Sequence, residues 1–432
     1  MPAGTEAEIT EWIASQKQAM IDLLRDAVNI DSGSYDKPGV DAVGARFEQH
    51  FAAHGIEAWR EPHDVFGDAI HALVAKPGSN ERPVLLMGHR DTVFPKGEVA
   101  RRPFTIEGTR AHGPGVADMK GGLVINAFVA AGFHKFGSAP CPIKVLITAD
   151  EEIGSPSSRP VIEREGRAAR AVYNSEPGRP TGNVTTGRKG GVFMRVEITG
   201  KAAHSGNNFG DGISAIGELA HKIVQIHALT DMSKGITLNV GLIAGGQSVN
   251  TTAPHAEGQI DMRYIDPADR ARTLAAIEKI VATSTVPGAT AKLHIHGEFL
   301  PLVQSDKSKI MFDAYRAAAK DAGLPNLDGE FAGGCADSGF TASVGTPTIC
   351  GVGPVGGNAH TALEYLDLDS IVPRAQALAL AILGRASING RRKAPSERSR
   401  MPARCCSFRA DSGHARPEPP TRSCIRTTIS GR

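Results

Sequence analysis

The sequence predicts an α/β protein, a mainly parallel sheet flanked by helices and interrupted by an inserted antiparallel α+β unit. Three observations predict it. Short, largely apolar runs, Val84-Leu85-Leu86-Met87 and Ile143-Lys144-Val145-Leu146-Ile147, flank a long stretch of helical spacing at about 119–136. From about residue 190 the pattern changes to strict alternation, and at 432 residues the chain exceeds what one hydrophobic core usually covers.

The elements can be taken in chain order. Residues 7–28 and 41–54 have apolar residues at helical spacing. The run at Val84 is short, as a strand buried on both faces should be, and the run at Ile143 repeats it. Strand, helix and strand in that order make a parallel pair. Val192, Met194, Val196 and Ile198 alternate, as do Ile260, Met262 and Tyr264, then Leu293 and Ile295. Alternation marks sheets with one solvated face. With helical segments at about 212–227 and 267–285, residues 188–299 read as a unit inserted into a catalytic domain made of 1–187 and 300–386. A helix at about 305–322, the strand Thr346–Cys350 and a helix at 367–384 return to the first domain. Residues 387–432 are Arg-, Pro- and Ser-rich without apolar period and read as a disordered basic tail.

Composition narrows the function classes. No stretch approaches about 18 uninterrupted apolar residues, so no membrane span is expected. The N-terminus is acidic and lacks the pattern of a secretory signal, so a cytoplasmic protein is expected. Residues 385–432 hold 12 Arg or Lys against 3 Asp or Glu, so the overall charge of +2 hides a body at −7. An acidic body gives no support for nucleic-acid binding by the folded part. Cys141, Cys335 and Cys350 have neither zinc-finger nor redox spacing.

Four segments follow buried-strand patterns with acidic or imidazole residues: Gly88-His89-Arg90-Asp91-Thr92-Val93, Gly115-Val116-Ala117-Asp118-Met119-Lys120-Gly121-Gly122, Thr148-Ala149-Asp150-Glu151-Glu152-Ile153-Gly154-Ser155 and Asn174-Ser175-Glu176-Pro177-Gly178. Open α/β sheets place their sites at the carboxyl ends of strands. A pair of divalent cations needs carboxylates and imidazoles converging from several segments, and this set supplies them. In His89-x-Asp91 the spacing of two puts both side chains on one side of an extended chain, so Asp91 can fix the imidazole tautomer while His89 binds metal. Glu151 and Glu152 are adjacent and point different ways, which lets one coordinate metal while the other takes a proton from water. Taken singly, each is more simply a helix cap or a structural histidine. Together and in this order they point to a metal site.

These tracts resemble the dinuclear zinc family that contains glutamate carboxypeptidase, acetylornithine deacetylase, succinyl-diaminopimelate desuccinylase and the aminoacylases, over about residues 7–385. The resemblance implies two Zn²⁺ per chain, with His89, Asp118 and Glu176 on one and Asp118, Glu152 and His360 on the other, and Glu151 as general base. Three carboxylates against two Zn²⁺ leave a charge of +1, which agrees with that assignment. It also implies that Arg263 binds a substrate carboxylate with Asn250 as a polar partner, and that His204 stabilises the oxyanion and reaches a neighbouring subunit. From spacing alone His204 is structural. The Gly333–Gly339 loop is also family-like, whereas His112 stands where the family usually has an aromatic residue. The expected activity is hydrolysis of an amide bond beside a free C-terminal carboxylate in a small N-acyl amino acid or peptide, by a homodimer. N-acyl-amino-acid deacylation or dipeptide hydrolysis is the alternative within the family. An inactive scaffold with a nucleic-acid-binding tail is the alternative outside it.

Overall fold

Apolar runs bounded by polar turns give the central strands of an eight-stranded sheet, described for residues 5–384 in a computed structural model. The disordered-tail reading of 387–432 lies outside the described residues. Strands Ile143–Thr148, Val84–His89, Ala171–Asn174 and Thr348–Cys350 lie side by side and parallel. Every residue of Val84–His89 is buried, the pattern expected when helices cover both faces. Two strands without a clear sequence signal, Glu57–Glu61 and Ala69–Val74, extend one edge antiparallel, and Val184–Arg188 with Gly329–Ala332 completes the other.

The helix Gly121–Phe136 packs against this sheet and the N-terminal helices, and its residues through Phe133 are all buried. Among the described residues, Val116–Phe136 is the one helical run long and apolar enough to cross a membrane, but nearly all of it lies inside the protein core. The helix expected over 7–28 is two, Thr5–Ser15 and Lys17–Val28, with Gln16 between them. The break at Gln16, invisible to a simple apolar count, still leaves Ile9 and Ile13 buried along with Met20 and Leu24.

After Arg188 the chain enters a four-stranded antiparallel sheet in the order Thr237–Gly245, His255–Tyr264, Gly190–Thr199, Thr290–Phe299. In the strand Gly190–Thr199, Val192, Met194, Val196 and Ile198 face a core shared with the helices Ala215–His227 and Pro267–Ala282, which is why the sequence alternates there. The two crossings between the sheets run together, joined by the Arg188–Leu302 bridge. A third, small sheet, Gly356–Gly357, Tyr365–Asp367, Arg110–His112 and Thr105–Glu107, closes beside the helix Gly121–Phe136.

Candidate metal centre

The parallel strands end at one edge, and their polar termini meet there. His89 closes Val84–His89; Glu151 and Glu152 form the turn after Ile143–Thr148; Glu176 lies two residues past Ala171–Asn174. Asp118 is presented by the turn that leads into the helix Gly121–Phe136. His360 comes from a loop in the left-handed region, φ 65°. Gly122 and Gly353 leave no room for a side chain against the carbonyls of Ser175 and Glu176, so the backbone that carries Glu176 is pinned from two sides.

His89 Nε2 lies 3.2 Å from Asp118 Oδ1 and 3.7 Å from Glu176 Oε1. His360 Nε2 lies 3.3 Å from Asp118 Oδ2 and 3.1 Å from Glu152 Oε2. The ligand atoms of His89, Asp118 and Glu176 fall within 4.8 Å of one another, and so do those of Asp118, Glu152 and His360. The two sets share Asp118, one carboxylate oxygen facing each. Glu151 stands beside the first set, 3.9 Å from His89 Nε2, and belongs to neither.

The surroundings fit cations. Glu176 Oε1 is buried without a hydrogen-bond partner, a costly state that a cation would relieve. Hydrogen bonds that His360 donates to Asp118 and then Glu152 push its imidazole up to about 10. Burial opposes a charge on His89, yet Glu151, Asp118 and Asp91 hold it well above its ordinary range. Burial together with neighbouring carboxylates pushes Glu151 and Glu176 up and Glu152 up to about 7. Imidazoles and glutamates pushed up together mark a pocket short of positive charge.

A second ring of contacts holds these groups. Asp91, fully buried, accepts from Ser34 Oγ at 2.7 Å and from the backbone N–H of Glu151 at 3.2 Å and Glu152 at 3.1 Å, with His89 Nδ1 3.3 Å away. It fixes the imidazole and the acidic turn together. Asp337 lies in the Gly333–Gly339 loop that the sequence singled out without giving it a role, and Arg188 had no signal there. Asp337 is buried, accepts from Ser155 Oγ and Thr148 Oγ1, and is pushed by burial up to about 7. Arg188 donates to the Gly334 and Cys335 carbonyls, with Nη2 3.8 Å from Glu176 Oε2.

Three of the expected residues stand apart. Arg263 turns both nitrogens of its fork to Asp261, Nε at 2.7 Å and Nη2 at 3.1 Å, while Nη1 meets Cys335 Sγ at 2.7 Å. Its link to the centre runs through Cys335 to Arg188. His204 and Asn250 sit on one exposed loop pair of the inserted sheet, where Ser205 N donates to the Asn250 carbonyl at 3.0 Å. His204 Nδ1 accepts from the backbone N–H of Gly206 at 3.1 Å and Asn207 at 3.2 Å. An accepting Nδ1 leaves the proton of the neutral ring on Nε2.

Residues 85–384 match the profile of Peptidase family M20/M25/M40. The chain belongs to this family. It is therefore a hydrolase of amide bonds, in a family of metal-dependent enzymes. Among curated relatives it is 30% identical to carboxypeptidase G2 of Pseudomonas sp. over 83% of this chain and 87% of that protein. It is 28% identical to acetylornithine deacetylase of Edwardsiella ictaluri over 70% and 80% of the two chains. An M20 family metallo-carboxypeptidase from Sulfolobus solfataricus has the same fold, with a TM-score of 0.69 at 18% identity over 84% of this chain and 98% of that one. The α/β architecture with an inserted antiparallel domain is thus the M20 fold.

Proposed function

We propose that this M20 peptidase is a glutamate-carboxypeptidase-like enzyme that uses two zinc ions to hydrolyse the amide bond beside a free C-terminal carboxylate in an N-acyl amino acid or small peptide. The observation that carries the reading is the pair of ligand sets sharing Asp118, with Glu151 beside them and in neither. His89, Asp118 and Glu176 would hold one ion and Asp118, Glu152 and His360 the other. A pair of divalent ions supplies positive charge that polarises the scissile carbonyl and makes a water more acidic. Glu151 would take a proton from water as the water oxygen adds to the carbonyl carbon, and would deliver it to the nitrogen as the C–N bond breaks.

Arg263 would bind the substrate carboxylate, exchanging its Asp261 partner for the bidentate ligand, with Asn250 as a polar neighbour. His204 would donate from Nε2 to the oxyanion, and the tautomer set by Gly206 and Asn207 supports that role. The hydrogen bonds of His204 lie within its own loop pair, and its role would be to serve the partner chain of a homodimer. Exposed Leu242 and Ile243 on the edge strand Thr237–Gly245, with Ile216 and Val224 on the neighbouring helix, support association through residues 188–299.

Deacylation is the second reading, favoured by the likeness to acetylornithine deacetylase. Two measurements test the proposal. Glu151→Gln should keep about two metal ions per chain while losing about 10²–10⁴ in kcat. A screen of N-acyl glutamates, other N-acyl amino acids and dipeptides should give the highest kcat/KM on an N-acyl glutamate. A Glu151→Gln variant active within a factor of a few, or a metal-free protein with full activity, would end this reading.

A further inference from the structure

One loop delivers His360 and, four residues later, a buried carboxylate that the proposed chemistry does not use. Glu364 is 1% exposed. Its Oε1 accepts the backbone N–H of Ala117 at 2.9 Å and Asp118 at 3.0 Å, and its Oε2 accepts that of Gly115 at 3.1 Å. Three main-chain donors of one turn therefore end on one carboxylate, and they belong to the turn that presents the shared ligand Asp118. These three donors are hydrogen-bonded to this one side chain, so removing it would leave buried N–H groups of the turn without a partner.

The Glu364 backbone is itself anchored. It lies one residue before Tyr365–Asp367, which pairs with Gly356–Gly357 on one side and Arg110–His112 on the other. His112 Nδ1 donates to the Glu364 carbonyl at 3.1 Å. Within the loop, Thr361 N bonds the Asn358 carbonyl at 3.2 Å and Glu364 N the Thr361 carbonyl at 3.3 Å. These two turns link the backbone of His360 to that of Glu364. The loop places an imidazole against Asp118 Oδ2 from one side and holds the Asp118 backbone from the other.

We propose that Glu364 is a positioning residue for metal binding: by clamping the Gly115–Asp118 turn it sets the orientation in which Asp118 reaches both ligand sets, and it couples that orientation to His360. The inference rests on the proposed role of Asp118 as a metal ligand. Glu364→Gln preserves size but sets an amide N–H against a main-chain N–H, and Glu364→Ala removes the clamp altogether.

The test measures zinc affinity by chelator competition on the full chain, then kcat and KM at saturating zinc. Zinc should bind about 10-fold more weakly to Glu364→Gln and about 100-fold more weakly to Glu364→Ala. At saturating zinc, kcat referred to the folded fraction counted by circular dichroism should fall at least about tenfold while KM changes less than about twofold; an effect that vanished once the folded fraction was counted would be loss of stability alone and would overturn the inference. Wild-type zinc affinity and turnover in both variants, whatever their melting temperatures, would overturn the inference. Should neither variant fold, amide exchange in the wild-type chain decides, because Gly115, Ala117 and Asp118 should be strongly protected and exchange at loop rates would refute the clamp. Asp118→Ala with an undiminished metal content would instead overturn the reading of the site, and this inference with it.

Discussion

Replacing Asp91 by Asn removes a charge while keeping the shape of the side chain, and the contacts of Asp91 set the cost. Oδ1 faces His89 Nδ1 and the Glu151 N–H, and Oδ2 faces Ser34 Oγ and the Glu152 N–H. All of these donate. An asparagine has one oxygen, so its NH₂ must replace one of the two. The better choice is the Oδ2 position, where the Ser34 hydroxyl can turn round and accept. The Glu152 N–H cannot, and a buried donor left without a partner costs about 1–3 kcal/mol. Losing the charge on the two bonds that remain adds about 1 kcal/mol, so the total is about 2–4 kcal/mol. His89 also bonds the Asp91 main-chain carbonyl at 3.1 Å, which the substitution leaves in place. The imidazole should therefore stay roughly oriented, and metal affinity should fall only about tenfold. Urea unfolding of the zinc-saturated chain reads the first quantity, and chelator competition the second. An Asp91→Asn chain as stable as wild type, or with unchanged zinc affinity, would refute the claim that this carboxylate organises His89 and the acidic turn.

Three further outcomes are expected. Arg263→Lys should raise KM by roughly tenfold on substrates with a free carboxylate, because a forked contact becomes a point charge; steady-state kinetics on paired substrates with and without the carboxylate checks it, and equal effects on both would count against the role. Mixing inactive His204→Ala and Glu151→Gln chains under verified subunit exchange should restore a substantial fraction of activity, since one site of each heterodimer then has both groups, and no recovery would show that His204 does not act across the interface. Burial, with a contribution from His54, holds His50 near 4 against an ordinary 6.5. Its folded-state value is depressed, so the stability it protects is complete above 6.5 and is lost as pH falls from 6.5 toward 4, by up to about 3 kcal/mol. Unfolding measured at pH 7 and pH 5 should show a smaller loss in His50→Leu, and an identical loss would remove His50 as the cause.

The ends of the buried strands were legible because a strand covered on both faces has to be apolar throughout, so that the first polar residues after it stand out. That rule led to His89, Glu151, Glu152 and Glu176. Alternation in the inserted sheet was equally plain, since one face of it meets helices and the other meets water. A signal for the Arg263–Asp261 pair was present but unused: residues two apart on a strand share a face.

What the sequence by itself determined, then, was local: periodicity, the order of the strands and helices, and the polar tracts that end them. Tertiary structure decided which carboxylates meet. Glu364 reaches Gly115 across 249 positions and Asp337 reaches Thr148 across 189. No spacing rule covers such distances, because each contact exists only after the sheet has formed and the late loops have closed over its carboxyl edge. The contact of Arg263 with Cys335, 72 positions away, was likewise fixed only there. A side chain's partners depend on packing, and packing depends on the whole chain.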